Sequence, residues 1–136
     1  MSLDTADGVL VVEDSDEDFG TVADAAAQQQ VTHRLIRATT ADDACAALTT
    51  GQRFRLVILD SSLPGNHGDV FLRALRSHPT HHRVPVVAFT ASGRQPERDV
   101  MHDAGVNAFH VKSVSYDDNL WILGMILTYW LRAVAD

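Results

Sequence analysis

The sequence predicts a doubly wound α/β domain built on a five-stranded parallel sheet. Three apolar runs, at residues 9–12, 56–59 and 84–89, are too short for helices and rich in β-branched residues, so they are predicted to be strands. Their hydrophobicity is continuous rather than alternating, which is typical of parallel strands covered by helices on both faces. Helical stretches separate the runs, and the repeated β-α order indicates this fold class.

Weaker patterns complete the set of elements. Two further strands are predicted over residues 33–38 and 106–111, and helices over residues 16–30, 41–50, 69–77, 96–104 and 115–135. The residues at the helix ends fit these bounds: N-cap candidates Ser15, Thr40 and Ser115, a first-turn Pro96, and the glycines Gly51 and Gly105 just beyond two helix ends. We expect one domain over residues 8–136 and a short tail over residues 1–7, because 136 residues suit a single core.

Charge and composition exclude several partners. The formal net charge of −7 disfavours binding to nucleic acid or to anionic lipid. The apolar run over residues 120–131 is shorter than the roughly 20 residues that cross a bilayer, so no membrane span is expected. The lone Cys45 cannot form an internal disulfide and the chain starts without signal-peptide features, so we expect a cytoplasmic protein.

Polar side chains follow four of the predicted strands. Glu13 and Asp14 come after the first strand, Asp60 after the third, Thr90 ends the fourth and Lys112 follows the fifth. Ligands of open parallel sheets bind at this edge. If the first and third strands are neighbours, the three carboxylates share a pocket, and their repulsion raises the pKa of at least one unless a cation neutralises them.

The chemistry of these groups indicates a phosphotransfer site. Carboxylate oxygens suit Mg²⁺ better than zinc or copper. Lys112 and the Thr90 hydroxyl suit the oxygens of a transferring phosphoryl group, and a carboxylate is a possible nucleophile. For any single residue, the alternative is that it only caps the helix that follows.

The chain resembles the receiver domain of two-component response regulators over residues 8–131. Residues 9–14 with Ser15 resemble the family's first strand and acidic pair, and residues 60–65 resemble its phosphoacceptor loop. Thr90 and Lys112 lie 30 and 52 residues after Asp60, spacings that are typical of the family. The resemblance implies a flavodoxin-like receiver fold with strand order 2-1-3-4-5.

The resemblance also implies a role for each site residue. Asp60 would accept a phosphoryl group from a histidine kinase in a magnesium-dependent reaction. Asp14, Asp60 and the backbone carbonyl of Ser62 would bind Mg²⁺, and Glu13 would support the metal through water. The protein would catalyse only its own phosphorylation and dephosphorylation.

Thr90 and Lys112 would bind the phosphoryl oxygens by the same resemblance. Phe109 stands at the family's aromatic switch position and would turn inward as the Thr90 hydroxyl moves. The alternative is that Phe109 is simply a strand residue of the core. Ser62 and Ser92 stand at positions that adjust phosphate lifetime in the family. Since neither is a good base, we expect slow to moderate autodephosphorylation.

Two further features resemble single-domain regulators that are paired with phytochrome-type histidine kinases. Ser113 follows Lys112 where most receivers have a cis-proline, and residues 129–131 read Tyr-Trp-Leu. This narrower resemblance implies a bacteriophytochrome as the kinase. No effector domain is expected, so output would occur through protein contacts or phosphorelay.

One apolar stripe along the last predicted helix would be enough to cover the sheet, but this helix carries further apolar residues outside that stripe. This surplus predicts a homodimer formed through the last helix and its neighbours, although neighbouring elements could bury the surplus instead. The candidate interface residues are Trp121, Ile122, Met125 and Tyr129.

Two other functions stay open at this point. An unphosphorylated interaction module with this fold would be expected to lack some of the acids or the lysine, which are all present. An aspartate-nucleophile phosphatase of the haloacid dehalogenase type would carry a second aspartate two residues after the first, where Ser62 stands. His78, His81 and His82 are predicted to lie in an exposed polar loop rather than at a metal site.

Overall fold

The fold is known from a computed structural model that describes residues 7–63 and 68–133. Five parallel strands form one sheet in the order β2-β1-β3-β4-β5, which confirms the predicted fold class and strand order. The strands are β1 (Gly8–Val12), β2 (Arg34–Ala38), β3 (Phe54–Leu59), β4 (Val86–Thr90) and β5 (Ala108–Val111). The helices are α1 (Asp16–Gln28), α2 (Ala41–Ala47), α3 (Gly68–Arg76), α4 (Gln95–Ala104) and α5 (Tyr116–Thr128).

Some predicted features lie outside the described residues. They are residues 1–6 of the predicted tail, residues 64 and 65 of the predicted phosphoacceptor loop, and residues 134 and 135 of the last predicted helix. Within residues 7–63 and 68–133, no helix has the length and hydrophobicity that a bilayer crossing requires.

The sheet separates two apolar cores. Every residue of β1 and β4 is buried, as is β3 apart from the partly exposed Arg55, so the continuous hydrophobicity reflects burial on both faces. Along β1, Leu10 and Val12 face a core with α2, α3 and α4, whereas Val9 and Val11 face a core with α1 and α5. Because helices pack on both faces, the strands of the sheet are held in place, and their carboxyl ends lie in a defined order along one edge.

The predicted N-caps form as expected. Ser15, Thr40 and Ser115 have extended backbones, and each side-chain oxygen accepts a hydrogen bond from an amide in the first turn of its helix. Gly105 ends α4 with a φ of 106°, a left-handed conformation that favours glycine.

Every element differs from its predicted range in at least one bound, and α2, β4 and α5 are three examples. α2 ends at Ala47, since the following amides bond three residues back and the hydroxyls of Thr49 and Thr50 donate to carbonyls at the helix end. β4 begins at Val86, because Pro85 has no N–H for the sheet, although its carbonyl accepts from Val57. α5 ends at Thr128 and continues as a π-helical turn over Tyr129–Ala133.

The prediction of an exposed histidine loop is wrong for His81. Its side chain is buried, with the ring 5.7 Å from that of Phe54 and 4.8 Å from that of His78. Burial, with a smaller contribution from the charge of His78, lowers the pKa of His81. The His78 Nδ1 atom accepts hydrogen bonds from the Thr80 and His81 amides, so that ring organises the loop.

Candidate functional site

Three carboxylates meet where β1 and β3 end side by side. Val12 pairs with Leu59 in the parallel register, so the residues that follow them, Glu13 and Asp60, emerge next to each other. One carboxylate oxygen each from Glu13, Asp14 and Asp60 lies within 4.8 Å of the others. Because these residues converge on one pocket and Ser15 caps α1, helix capping does not account for the acids.

The donor set fits a hard divalent cation. Glu13 and Asp60 are 4% and 6% exposed, whereas Asp14 is open to solvent, so the group has one accessible side. Carboxylate oxygens are the ligands that Mg²⁺ prefers, and few protein ligands leave positions for water or phosphate. The backbone amide of Ser62 donates to Asp60 Oδ1 over 2.8 Å. Ligation by the Ser62 carbonyl stays a prediction.

Lys112, the only lysine in the sequence, extends into this pocket. Its Nζ lies 2.8 Å from Glu13 Oε1, 3.1 Å from Asp60 Oδ2 and 2.6 Å from Asp18 Oδ2, and its side chain is 10% exposed. Burial lowers the pKa of Lys112, but its hydrogen bonds to Asp18 and Glu13 and the negative charge of Asp60 more than offset that, so the pKa is raised. The ammonium group is therefore charged at neutral pH.

The pKa of the Glu13 carboxyl group is strongly raised. Its pKa is raised from the usual 4.5 to about 7, chiefly because burial disfavours the charged form and to a smaller extent because of the negative charge of Asp60. The hydrogen bond and charge of Lys112 oppose this increase but do not cancel it. Mutual repulsion, the cause expected from the sequence, is thus present but smaller than desolvation.

Two hydroxyl groups lie beside the carboxylates. Thr90, the last residue of β4, is completely buried, and its Oγ1 lies 2.9 Å from Ser62 Oγ. The backbone carbonyl of Thr90 accepts a hydrogen bond from the Lys112 amide, which ties β4 to the residue after β5. Phe109 is half-buried and packs against the core formed with α2, α3 and α4, a position compatible with either of its two expected roles.

The loop after Lys112 is held by a side-chain amide. The peptide bond between Lys112 and Ser113 is trans. Asn119 accepts a hydrogen bond from the Ser113 amide over 2.7 Å and donates one to the Ser113 carbonyl over 2.9 Å. Asn119 on α5 therefore binds both the amide and the carbonyl of Ser113, the residue that follows Lys112.

Asp18 is a site residue that the sequence reasoning missed. Asp18 is an acid in the first turn of α1, and it makes the shortest of the three contacts with Lys112. The available signal was its spacing, because Asp18 lies four residues after Asp14 and three after the cap Ser15, one helical turn along the chain. The Ser62–Thr90 hydroxyl contact was missed as well, and no sequence pattern indicates it.

The last helix presents large apolar side chains to solvent. Trp121, Met125 and Tyr129, each four residues apart, are 66%, 49% and 55% exposed. With Gln28 they line a shallow groove between α1 and α5. Ile122 is different, since it is only partly exposed and packs against the core formed with α1 and α5.

The sheet order, the acidic pocket and the lysine after β5 define a receiver domain. Comparison of the sequence agrees, since the response regulator receiver domain family matches residues 9–121, and the chain belongs to this family.

Individual relatives are similar over nearly the whole chain. The response regulator Rcp1 of Synechocystis sp. is 28% identical, over 93% of this chain and 90% of that protein. The crystal structure of the phosphorylated cyanobacterial phytochrome response regulator RcpA superimposes with a TM-score of 0.88 at 27% identity, covering 95% of this chain and 96% of that one. The Mn²⁺-bound form of Rcp1 gives a TM-score of 0.84 at 27% identity, covering 95% of this chain and 97% of that one.

Proposed function

We propose that this chain accepts a phosphoryl group on Asp60 from the phosphohistidine of a sensor kinase, in a reaction that requires Mg²⁺. The observation that carries the proposal is the state of Asp60, a buried carboxylate with Oδ1 on the Ser62 amide and Oδ2 on Lys112. Family membership and the Mn²⁺-bound form of Rcp1 support the same chemistry.

The side chains divide the work of phosphoryl transfer. An Asp60 oxygen forms the bond to phosphorus as the bond from phosphorus to the histidine nitrogen breaks, and the imidazole leaves with the bonding pair. The Ser62 amide and Lys112 orient the carboxylate before attack. Lys112 and the Thr90 hydroxyl then donate to the phosphoryl oxygens. For Thr90 this requires its hydroxyl to turn from Ser62.

Residues that lie close together at the ends of β1 and β3 would hold the cation. Asp14, Asp60 and the Ser62 carbonyl are the proposed ligands, and Glu13 would act through a water molecule. Bound Mg²⁺ supplies positive charge that offsets the charge of the carboxylates and the phosphoryl group.

Labelling with a radioactive phosphodonor tests the acceptor. The protein is incubated with acetyl phosphate or a phosphorylated kinase, with Mg²⁺ or with EDTA. We expect an acid-stable, base-labile label on the wild type with Mg²⁺ and none on Asp60→Asn. Asp42→Asn, which changes an exposed acid on α2, is the matched control and should label normally. Equal labelling of wild type and Asp60→Asn would reject the acceptor.

The same experiment separates the other two functions. An unphosphorylated interaction module would take no label from any donor. An aspartate-nucleophile phosphatase would release phosphate from many small monoesters with repeated turnover. We propose instead that the protein catalyses only its own phosphorylation and dephosphorylation, with Ser62 at the position where such a phosphatase has its second aspartate.

We further propose a phytochrome-type histidine kinase as the partner. The similarity to Rcp1 and RcpA supports this, since RcpA is described as a phytochrome response regulator. A bilin-loaded kinase of that type, irradiated with red or far-red light, should transfer phosphate to this chain at two different rates. Equal rates from phytochrome and non-phytochrome kinases would argue against the pairing.

Output is proposed to occur in the cytoplasm through protein contacts or relay of the phosphoryl group, without binding of nucleic acid or membranes. The net charge of −7 supports the exclusion of polyanionic partners. A chase with a histidine phosphotransfer protein would distinguish relay from contact-only signalling. Transfer of label from Asp60 to that protein is the outcome expected for relay.

We propose that the exposed row on α5 forms a homodimer. Trp121, Met125 and Tyr129 repeat every four residues, so a second copy related by a two-fold axis would meet the same row. Trp121→Glu with Tyr129→Glu should reduce the mass measured by sedimentation from dimer to monomer. Val70→Glu is the matched control, because Val70 is also exposed but lies on α3. An unchanged mass for the double variant would refute this interface.

A further inference from the structure

Asp18 is bound to Lys112 but does not belong to the group of acids that can hold a cation. Its Oδ2 lies 2.6 Å from Lys112 Nζ, closer than the oxygens of Glu13 at 2.8 Å or Asp60 at 3.1 Å. The group with metal-ligand spacing consists of Glu13, Asp14 and Asp60. Asp18 therefore contacts the lysine without having a predicted share in binding the metal.

An ammonium group has three N–H bonds, and Lys112 directs them to three carboxylates. Two of these carboxylates, Glu13 and Asp60, are needed elsewhere once a cation and a phosphoryl group occupy the pocket. The contact with Asp18 would stay in place in that rearrangement, because Asp18 is not among the acids with metal-ligand spacing.

We propose that Asp18 is a positioning residue that anchors the Lys112 ammonium beside the acceptor while the other two carboxylates change partners. The inference rests on the proposed function of Asp60. It adds that the lysine is held from the first turn of α1 rather than only by the groups that react.

The local structure supports an anchoring role over an incidental surface ion pair. Lys112 is 10% exposed and Asp18 30% exposed, so water screens the contact only on one side. The Asp18 amide donates to the Ser15 hydroxyl, which fixes the backbone of the anchor. Asp16 in the same turn instead pairs with Arg37 at 94% exposure, as an ordinary surface charge does.

Asp18→Asn removes the charge and keeps the shape of the side chain. Lys112 is then bound only by Glu13 and Asp60, so it competes with a divalent cation for those oxygens and loses its fixed position when they change partners. We expect Mg²⁺ affinity and the rate of phosphoryl uptake each to fall by about three- to tenfold. Asp18→Glu, which restores the charge, should recover part of both.

Because Lys112 is the only lysine, NMR can observe its ammonium group directly and test whether Asp18 holds it in place. Protein made with ¹⁵Nζ-lysine has one side-chain ammonium signal, from Lys112. In the wild type this signal should persist after addition of Mg²⁺ and beryllium fluoride, a phosphoryl mimic, because Asp18 still protects it from exchange. In Asp18→Asn we expect it to broaden or disappear under those conditions. Glu17→Gln, an exposed acid in the same turn, is the matched control and should behave as the wild type.

The outcomes separate this inference from the proposed function. The anchoring role of Asp18 would be refuted if Asp18→Asn had the same labelling rate, Mg²⁺ affinity and ammonium signal as the wild type, even if Asp60 accepts phosphate. Absence of label on the wild type would overturn the proposed function. If Asp18→Asn fails to fold by circular dichroism, Asp18→Ser is the second charge-free variant. An unchanged ammonium signal in either folded variant refutes the proposal.

Discussion

Replacement of Lys112 by methionine tests the electrostatic basis of the pocket. Methionine keeps an unbranched apolar stem next to the Phe89 ring, above which the ammonium lies at 5.8 Å, but removes the charge. Glu13 and Asp60, 4% and 6% exposed, then lose the cation that compensates them. Asp18 is more solvated and should adapt to the loss at little cost.

The magnitude follows from these exposures. Removing one partner of a buried ion pair costs roughly 3–5 kcal/mol, because the remaining charge is left uncompensated. We expect the lower end, about 3 kcal/mol, since water reaches the pocket past the exposed Asp14. For a domain of this size, that corresponds to a decrease in Tm of about 10 °C.

Thermal unfolding in EDTA and in excess Mg²⁺ measures the effect. The free-energy deficit of Lys112→Met should be largest in EDTA and smaller in Mg²⁺, because a bound dication replaces the missing positive charge and stabilises the folded state by mass action. Lys112→Arg, which keeps the charge, should lose less stability in EDTA. A Lys112→Met protein as stable as the wild type in EDTA, or with an equal deficit in both conditions, would refute this account.

Three further variants test other contacts. Ser62→Ala should destabilise the fold by about 1 kcal/mol in urea unfolding, because the buried Thr90 hydroxyl loses a partner, and Ser61→Ala should not. Arg76→Met should cost about 3 kcal/mol, since the guanidinium donates to several backbone carbonyls around β4 and β5; the exposed Arg73→Met on the same helix is its control, and equal losses would contradict the prediction. The lowered pKa of His81 gives stability that is present above its usual value of 6.5 and is lost as the pH falls below that value. Tm should therefore fall from pH 7 to pH 5, and less steeply in His81→Gln; a slope unchanged by that substitution would exclude His81 as the cause.

The fold was predictable because burial on both faces leaves a direct mark on the sequence. Residues 9–12 and 56–59 are continuous apolar runs, and both lie in the buried centre of the sheet. Helix starts were predictable for a similar reason, since an N-cap such as Ser15 acts on an amide only three residues away. Such short-range interactions depend little on the rest of the fold.

Boundaries and burial that depend on tertiary contacts were not predictable. The histidine loop has a polar sequence, but His81 packs against Phe54 of β3, 27 residues earlier in the chain. The end of α2 has a local cause instead, because the hydroxyls of Thr49 and Thr50 donate to carbonyls three residues earlier and these hydrogen bonds compete with further helix. Pro85 is evident in the sequence, and its missing amide was sufficient reason to begin β4 at Val86, two residues after the predicted start.

In the candidate site, too, some side-chain positions could be predicted from the sequence and others could not. The strand ends indicated which groups would meet, because parallel strands bring their carboxyl ends to one edge. The spacing from Asp14 indicates that Asp18 lies near the site, but its contact with Lys112 and the contact of Ser62 with Thr90 depend on how α1 and the loop after β3 pack on that edge.

The charge balance of the pocket indicates why a cation and the lysine are both needed. With all groups ionised, the carboxylates of Glu13, Asp14, Asp18 and Asp60 and the single ammonium of Lys112 leave a net charge of −3. Phosphorylation of Asp60 would replace a singly charged carboxylate with a doubly charged acyl phosphate and make this about −4. The pKa of Glu13 is already raised to about 7, chiefly by burial and in addition by the charge of Asp60, so the pocket has little capacity for more negative charge. A divalent cation would offset about half of that charge, whereas Lys112 alone cannot, and phosphoryl transfer in this pocket should therefore depend on both.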